Sequence, residues 1–261
     1  MHEVDRIIFP SATALDLAGL PEVGLSPNAL EAHKIVGFNP SDVRARAFTL
    51  LRTRVIKEMA SRGHRLLGIT SPTPSSGKSF LAINLAASLA RVAEAKVVLV
   101  DLDLRRGSVA AELGLPEGQR GIADFLGGSG ANLTDLGFRI GGTNLAVFPT
   151  TPVSGSAAEL LAHEGFSQFI AAFRDEKSRP IVIFDLPPVF AGDDAMLSVG
   201  ALDSYLMVVD SGKTSRRHLE DALAMLTPTP CLGSVLNRFK GGLLDAYGYG
   251  MNSKMYDKYY A

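Results

Sequence analysis

Apolar residues in this chain gather into two kinds of run. Short continuous ones, Arg65 to Thr70, Lys96 to Val100, Asn144 to Pro149, Ile181 to Phe184, Tyr205 to Val209 and Cys231 to Leu236, read as buried strands. Between them lie helical patterns. Leu81, Leu85, Leu89 and Val92 mark one helix face, and residues 157–173 and 217–226 carry the same period. Val43, Ala47, Leu51, Val55 and Met59 recur every four residues, which predicts an amphipathic helix whose other face holds Arg44, Arg46, Arg52, Arg54 and Lys57. Strands alternating with helices predict an α/β fold with a doubly wound, mostly parallel sheet. The first forty residues, punctuated by Pro10, Pro21, Pro27 and Pro40, hold neither period and read as an arm or linker (1–40) before a domain of residues 41–242.

The loop after the first long strand reads Ser71-Pro72-Thr73-Pro74-Ser75-Ser76-Gly77-Lys78-Ser79. A glycine-lysine-serine between a buried strand and an amphipathic helix is the working end of a phosphate-binding loop. Backbone N–H groups at the helix start cradle the anion, the lysine reaches the β and γ phosphates, and the hydroxyl ligates magnesium. Pro74, Ser75, Ser76, Gly77, Lys78, Ser79 and Phe80 are therefore the expected nucleotide-binding residues. Pro72 stands where this loop usually has a glycine, and it fixes φ and lacks an N–H.

Two further strands run into carboxylates, Val97 to Val100 into Asp101-Leu102-Asp103 and Ile181 to Phe184 into Asp185. One aspartate after a strand is commonly a turn former or helix cap. Two of them, in a parallel sheet that also carries the loop, fall on the same C-terminal edge. Asp185 is the expected magnesium ligand, with Ser79. Asp101 or Asp103 is expected to bind magnesium or to handle the proton of an attacking hydroxyl. ATP and Mg2+ are the implied ligands.

Composition narrows the setting. A hydrophobic share of 46% and a charged share of 20% suit one folded domain in 261 residues. Twenty-six basic against 27 acidic residues give no field that would draw nucleic acid, and no nucleic-acid partner is expected. The lone Cys231 fits a reducing compartment. Charged residues interrupt the N-terminal stretch, and Asn84, Arg91, Glu94 and Lys96 break the apolar run of residues 81–100, so neither an export signal nor a membrane span is expected.

The segments ITSPTPSSGKSFLAINLAASLA, VVLVDLDLRRG, ELL (Glu159 to Leu161), VIFDLPP and SVLN (Ser234 to Asn237) together resemble the bacterial tyrosine autokinases of the CpsD/CapB/Wzc capsular and exopolysaccharide group, over about residues 41–261. That resemblance implies a P-loop NTPase fold of the MinD/ParA-like type and an ATP-dependent, autophosphorylating activity. It places Asp101 and Asp103 in a Walker A′ pair with Lys78 and Asp185 as catalytic partners, and Asn237 beside the adenine base. The partition ATPases that share the fold usually carry an extra lysine early in the loop, where this chain has Thr73. An ExxRxxR assembly motif is reduced to Arg46, Thr49 and Arg52, of which only the last arginine matches.

Five of the six tyrosines, Tyr247, Tyr249, Tyr256, Tyr259 and Tyr260, lie in the last fifteen residues, where chance would put fewer than one. They are the expected phosphorylation sites, in a flexible, glycine-bearing tail of residues 243–261. The resemblance further implies a homo-oligomer, a membrane-embedded polysaccharide co-polymerase as activator and a cognate tyrosine phosphatase. The chain itself would be cytoplasmic, held at the inner membrane through that partner.

Overall fold

Strands of this sheet are apolar on both faces because helices cover both. The computed structural model describes residues 15–92, 96–116, 121–153, 155 and 157–240; the tyrosine cluster lies outside them. The strands are β1 (Glu22–Val23), β2 (Leu66–Thr70), β3 (Val97–Asp101), β4 (Phe138–Ile140), β5 (Leu145–Phe148), β6 (Ile181–Asp185), β7 (Ser204–Asp210) and β8 (Cys231–Asn237). The helices are α1 (Pro27–Ala32), α2 (Arg46–Arg62), α3 (Lys78–Leu89), α4 (Val109–Leu113), α5 (Ile122–Leu126), α6 (Ala157–Ala162), α7 (Glu164–Asp175), α8 (Asp194–Gly200) and α9 (Arg216–Met225). The sheet order is β1-β4-β5-β3-β6-β2-β7-β8. Every neighbouring pair is parallel except β4 with β5.

Alternate residues of the central strands feed two cores. Leu67, Ile69, Leu99, Ile183 and Leu206 point into the one shared with α2 and α3. Leu66, Val98, Val100, Val182 and Phe184 point into the other, shared with α7. There Phe173 sits edge-on to three rings at once, 5.3 Å from Phe148, 5.0 Å from Phe169 and 6.1 Å from Phe184. Such a core needs continuous apolar strands rather than alternating ones, and this is why the runs were readable.

Three sequence expectations are adjusted. The apolar stripe ahead of β2 is right from Val55 to Met59, but Val43 is 74% exposed and Ala47 is also exposed. The buried positions at that end are Ala45 and Phe48, because residues 43–45 form a tighter 3-10 turn that rotates the face. The helix expected over residues 157–173 is two, broken at His163, whose backbone is extended. Residues 15–40 form an arm that is laid against the domain: β1 pairs with β4, and Leu15, Leu17, Leu20, Ile35 and Val36 are buried.

One polar side chain fastens that arm. Asn84, fully buried on α3, accepts with Oδ1 from the N–H groups of Val36 and Gly37 at 2.8 and 2.9 Å. The approach needs glycine, since a Cβ on Gly37 would stand 2.3 Å from the Asn84 carbonyl oxygen. Asn84→Ala strands both buried N–H groups and is expected to cost about 2–4 kcal/mol. The check is a shift of the urea unfolding midpoint to lower denaturant.

Candidate functional site

The register of the sheet assembles the site. In the order β3-β6-β2-β7-β8 the C-terminal residues Asp101 and Asp185 are direct partners, as are Ile69 and Asp185, and Asp210 and Asn237. Thr70 ends β2 and leads through residues 71–77 into α3, so the loop lies on this same edge.

Within the loop, hydroxyls and carbonyls do what a glycine would otherwise do. The Thr73 carbonyl accepts from both Ser71 Oγ and Ser76 Oγ, at 2.8 and 2.9 Å. The Ser71 and Pro72 carbonyls accept from Val189 and Phe190, which stitches the loop to the segment after β6. Pro72 therefore contributes its acceptor, and its missing N–H is not called upon. Ser75 and Gly77 take left-handed backbone, with φ of 59° and 91°. A Cβ at Gly77 would stand 2.1 Å from Asn237 Nδ2, so both conformation and space demand glycine there. Among the described residues the N–H groups of Ser75, Ser76, Gly77, Lys78 and Ser79 have no acceptor. At the head of a twelve-residue helix they form an anion cradle. Pro74 and Ser75 form its exposed rim, and Phe80 turns inward onto Phe48, with ring centres 5.6 Å apart.

Lys78 is buried, and its Nζ lies 3.7 Å from Asp103 Oδ2. Asp101 and Asp103 have different surroundings. Asp101 is fully buried and accepts from two backbone N–H groups, Asp103 at 3.2 Å and Val109 at 3.0 Å. Both its oxygens thus shape the turn that follows β3. Asp103 stands further out and faces the lysine. Arg105, next along, donates to both oxygens of the buried Asp194 at the start of α8, at 2.5 and 3.2 Å.

Asp185 stands beside the Ser79 hydroxyl but makes no hydrogen bond of ordinary geometry. It is fully buried, and neither carboxylate oxygen has a hydrogen-bond partner among the described residues. Burial pushes its carboxyl up to about 7, with Asp103 and Glu112 adding to the rise and Lys78 and the Ser79 hydroxyl opposing it. Burial likewise raises Asp101 well above the usual carboxylate range, with Asp185 beside it as the next cause. An acceptor-only group in this condition fits a hydrated or directly bound cation. Among the described residues no cluster of three His, Cys, Asp or Glu could hold a metal alone. A magnesium ion here would draw on Ser79, Asp185 and the oxygens of a phosphate, which suits its preference for substrate oxygens over an all-protein cage.

A cavity of about 580 Å³ lies at the opposite edge of the sheet among Phe38, Arg91, Arg139 and Asn144, away from all of this chemistry. Asn237, expected beside the adenine, donates from Nδ2 to the Ser76 carbonyl at 2.8 Å and so braces the loop. Arg52, the arginine left from the assembly motif, donates to the Ser88 carbonyl at the far end of α3, at 3.1 Å. Two site residues escaped the sequence reading, Asp210 and Arg238, which form an ion pair beside the loop at 2.6 Å. The signal for Asp210 was present, since Leu206 to Val209 runs into it as other apolar strands run into Asp101 and Asp185.

The chain is similar to known proteins over most of its length. The chain is 28% identical to tyrosine-protein kinase YwqD of Bacillus subtilis (strain 168) over 225 residues, 84% of this chain and 92% of the relative. It is 27% identical to tyrosine-protein kinase CpsD of Streptococcus agalactiae over 209 residues, 79% of this chain and 89% of the relative. Among solved structures, the BceF tyrosine kinase domain superposes with a TM-score of 0.68 at 26% identity, covering 85% of this chain and 93% of that one. The CobQ/CobB/MinD/ParA nucleotide binding domain matches residues 67–247, from the strand that feeds the phosphate loop to beyond the asparagine that braces it, and this chain belongs to that family.

Proposed function

We propose that this chain is an ATP-dependent protein-tyrosine kinase that phosphorylates its own C-terminal tyrosines, Tyr247, Tyr249, Tyr256, Tyr259 and Tyr260, and through them regulates the polymerisation or export of a capsular or exopolysaccharide. The observation that carries this reading is the convergence of an unpaired N–H cradle, Lys78, Asp103 and the fully buried Asp185 on one sheet edge. The named tyrosine kinases that match nearly their whole length support it.

In this reading the cradle and Lys78 hold the β and γ phosphates of ATP, while Ser79 and Asp185 hold magnesium. A magnesium ion held there would neutralise phosphate charge. Lys78 leaves Asp103 for the phosphate, which frees the Asp103 carboxylate for the incoming tyrosine. The phenolic oxygen attacks the γ phosphorus, the bond to the β–γ bridging oxygen breaks, and ADP departs. The phenol, with an ordinary pKa of about 10, is protonated at neutral pH and passes its proton to a carboxylate. Asp103 suits that role better than Asp101, whose oxygens are already engaged by backbone N–H groups. A homo-oligomer would present one subunit's tail to another's site. A membrane-embedded polysaccharide co-polymerase would activate the enzyme and hold it at the inner membrane, and a cognate phosphatase would reset it. No helix among the described residues is long and apolar enough to cross a membrane.

Incubation of the purified chain with ATP and magnesium is expected to yield phosphotyrosine on the five tail positions by mass spectrometry. Phosphate mainly on Tyr205, or ADP and free phosphate with no phosphotyrosine, would favour a partition-type ATPase, and binding with little turnover a non-catalytic assembly switch. Lys78→Met removes a preorganised charge from the transferring group and is expected to lower labelling by about a hundredfold or more, with the far-UV circular dichroism unchanged.

Asp185 also makes the nucleotide-free fold sensitive to pH. Its folded carboxyl, at about 7, lies above the ordinary 3.8, so between those values the folded chain binds the proton more tightly than the unfolded one. Its contribution to stability is complete below about pH 4 and is lost as the pH rises through 7; Asp101 acts in the same direction. Denaturation midpoints should therefore fall across this range, and Asp185→Asn should flatten the dependence.

A further inference from the structure

Two adjacent residues at the end of β8 hold two adjacent carbonyls of the phosphate loop. Arg238 Nη1 donates to the Ser75 carbonyl at 2.7 Å, and Asn237 Nδ2 to the Ser76 carbonyl at 2.8 Å. A peptide unit is planar and trans, so its C=O and N–H point in opposite directions. Fixing the Ser75 carbonyl outward aims the Ser76 N–H inward, and fixing the Ser76 carbonyl does the same for the Gly77 N–H. Both N–H groups belong to the cradle, and neither has an acceptor among the described residues.

The arginine is itself held. The second hydrogen of the same Nη1 goes to Asp210 Oδ2 at 2.6 Å. Asp210 is only 4% exposed and its Oδ1 is buried without a hydrogen-bond partner, so the cations beside its Oδ2 are its main polar contacts. Lys213 is the other, 3.6 Å from Oδ2 with a side chain 73% exposed. The Asp210 N–H donates to Thr214 Oγ1 at 3.0 Å, which fixes the backbone under the carboxylate. Ser75 and Arg238, the two ends of the contact, both take left-handed backbone, with φ of 59° and 58°. Such conformations are unfavourable for a non-glycine residue and persist where surrounding contacts hold them. Here each end holds the other.

We propose that Arg238, braced by Asp210, is a positioning residue that keeps the phosphate loop in its anion-binding conformation before nucleotide arrives. It acts through the Ser75 peptide and not by touching the phosphates. The alternative is a plain ion pair that ties the ends of β7 and β8 together. The two differ in what they predict for nucleotide affinity, because a strand tie would lower stability and leave the cradle as it was. The proposal rests on the phosphate-site reading above.

The test is titration of the full chain and its Arg238→Ala and Asp210→Asn variants with a fluorescent ADP analogue in magnesium, alongside urea unfolding and hydrogen exchange of the Ser76 and Gly77 amides. Arg238→Ala is expected to weaken ADP binding about tenfold, the order expected for losing a hydrogen bond to a charged group, and to speed exchange at both amides. Asp210→Asn, which leaves the arginine in place without its brace, should move both readouts in the same direction by less. ADP affinity within twofold of wild type in Arg238→Ala, with only the unfolding midpoint lowered, would overturn the proposal and leave the strand tie. Failure of the wild-type chain to bind ADP would remove the phosphate-site reading and this inference with it.

Discussion

Two fully buried carboxylates side by side, Asp101 and Asp185, are a costly arrangement, and much of the architecture serves to hold it. Taking an ion out of water costs several kcal/mol even after relaxation, and Asp185 meets that cost beside a second buried acid, Asp101, its register partner on the next strand. Lys78 offsets part of it from the head of α3. The arrangement persists because the sheet is anchored elsewhere by two apolar cores, and because α3, buried along almost its whole length, cannot swing the lysine away. Stability drawn from the cores is thus spent on an edge poised for charge that comes from outside the protein.

Continuous apolar strands ending in aspartate were legible because burial on both faces removes the polar alternation that makes many strands ambiguous. Lys78, Ser79 and Asp185 followed from that pattern and from the loop. Strands β1 and β4 did not, since two or three residues are too few to show a period and their pairing is decided by the arm's docking. The face of α2 was misjudged at its first turn, where the 3-10 geometry replaces Val43 by Ala45 as the inward residue. Asn84 looked like an interruption of an apolar run and proved to be the arm's fastening. Asp210 carried the same signature as the other two acids and was passed over because no motif pointed to it.

The loop shows how one chemical departure can be absorbed locally. A proline in place of glycine would damage a cradle that needed that N–H, but here Pro72 sits upstream of the donors and is used only through its carbonyl. The serine and threonine hydroxyls then close the turn around the Thr73 carbonyl. The left-handed residues needed for a concave row of N–H groups are supplied by Ser75 and Gly77 instead. What survives is the geometry of the anion site, reached with different residues.

The parallel direction of β8 has a consequence for the tail it leads into. Because β8 ends at Asn237 beside the loop, everything after Lys240 is tethered at the rim of the nucleotide site. Tyr247 is the seventh residue after Lys240 and Tyr260 the twentieth. At a maximum of about 3.6 Å per residue these tethers reach no further than about 25 and 70 Å. In the kinase reading proposed above, these lengths are upper bounds on how far from this rim each tyrosine could be presented, and the bound for the first is about a third of that for the last. Position along the tether, as much as local sequence, would then rank the tyrosines as substrates.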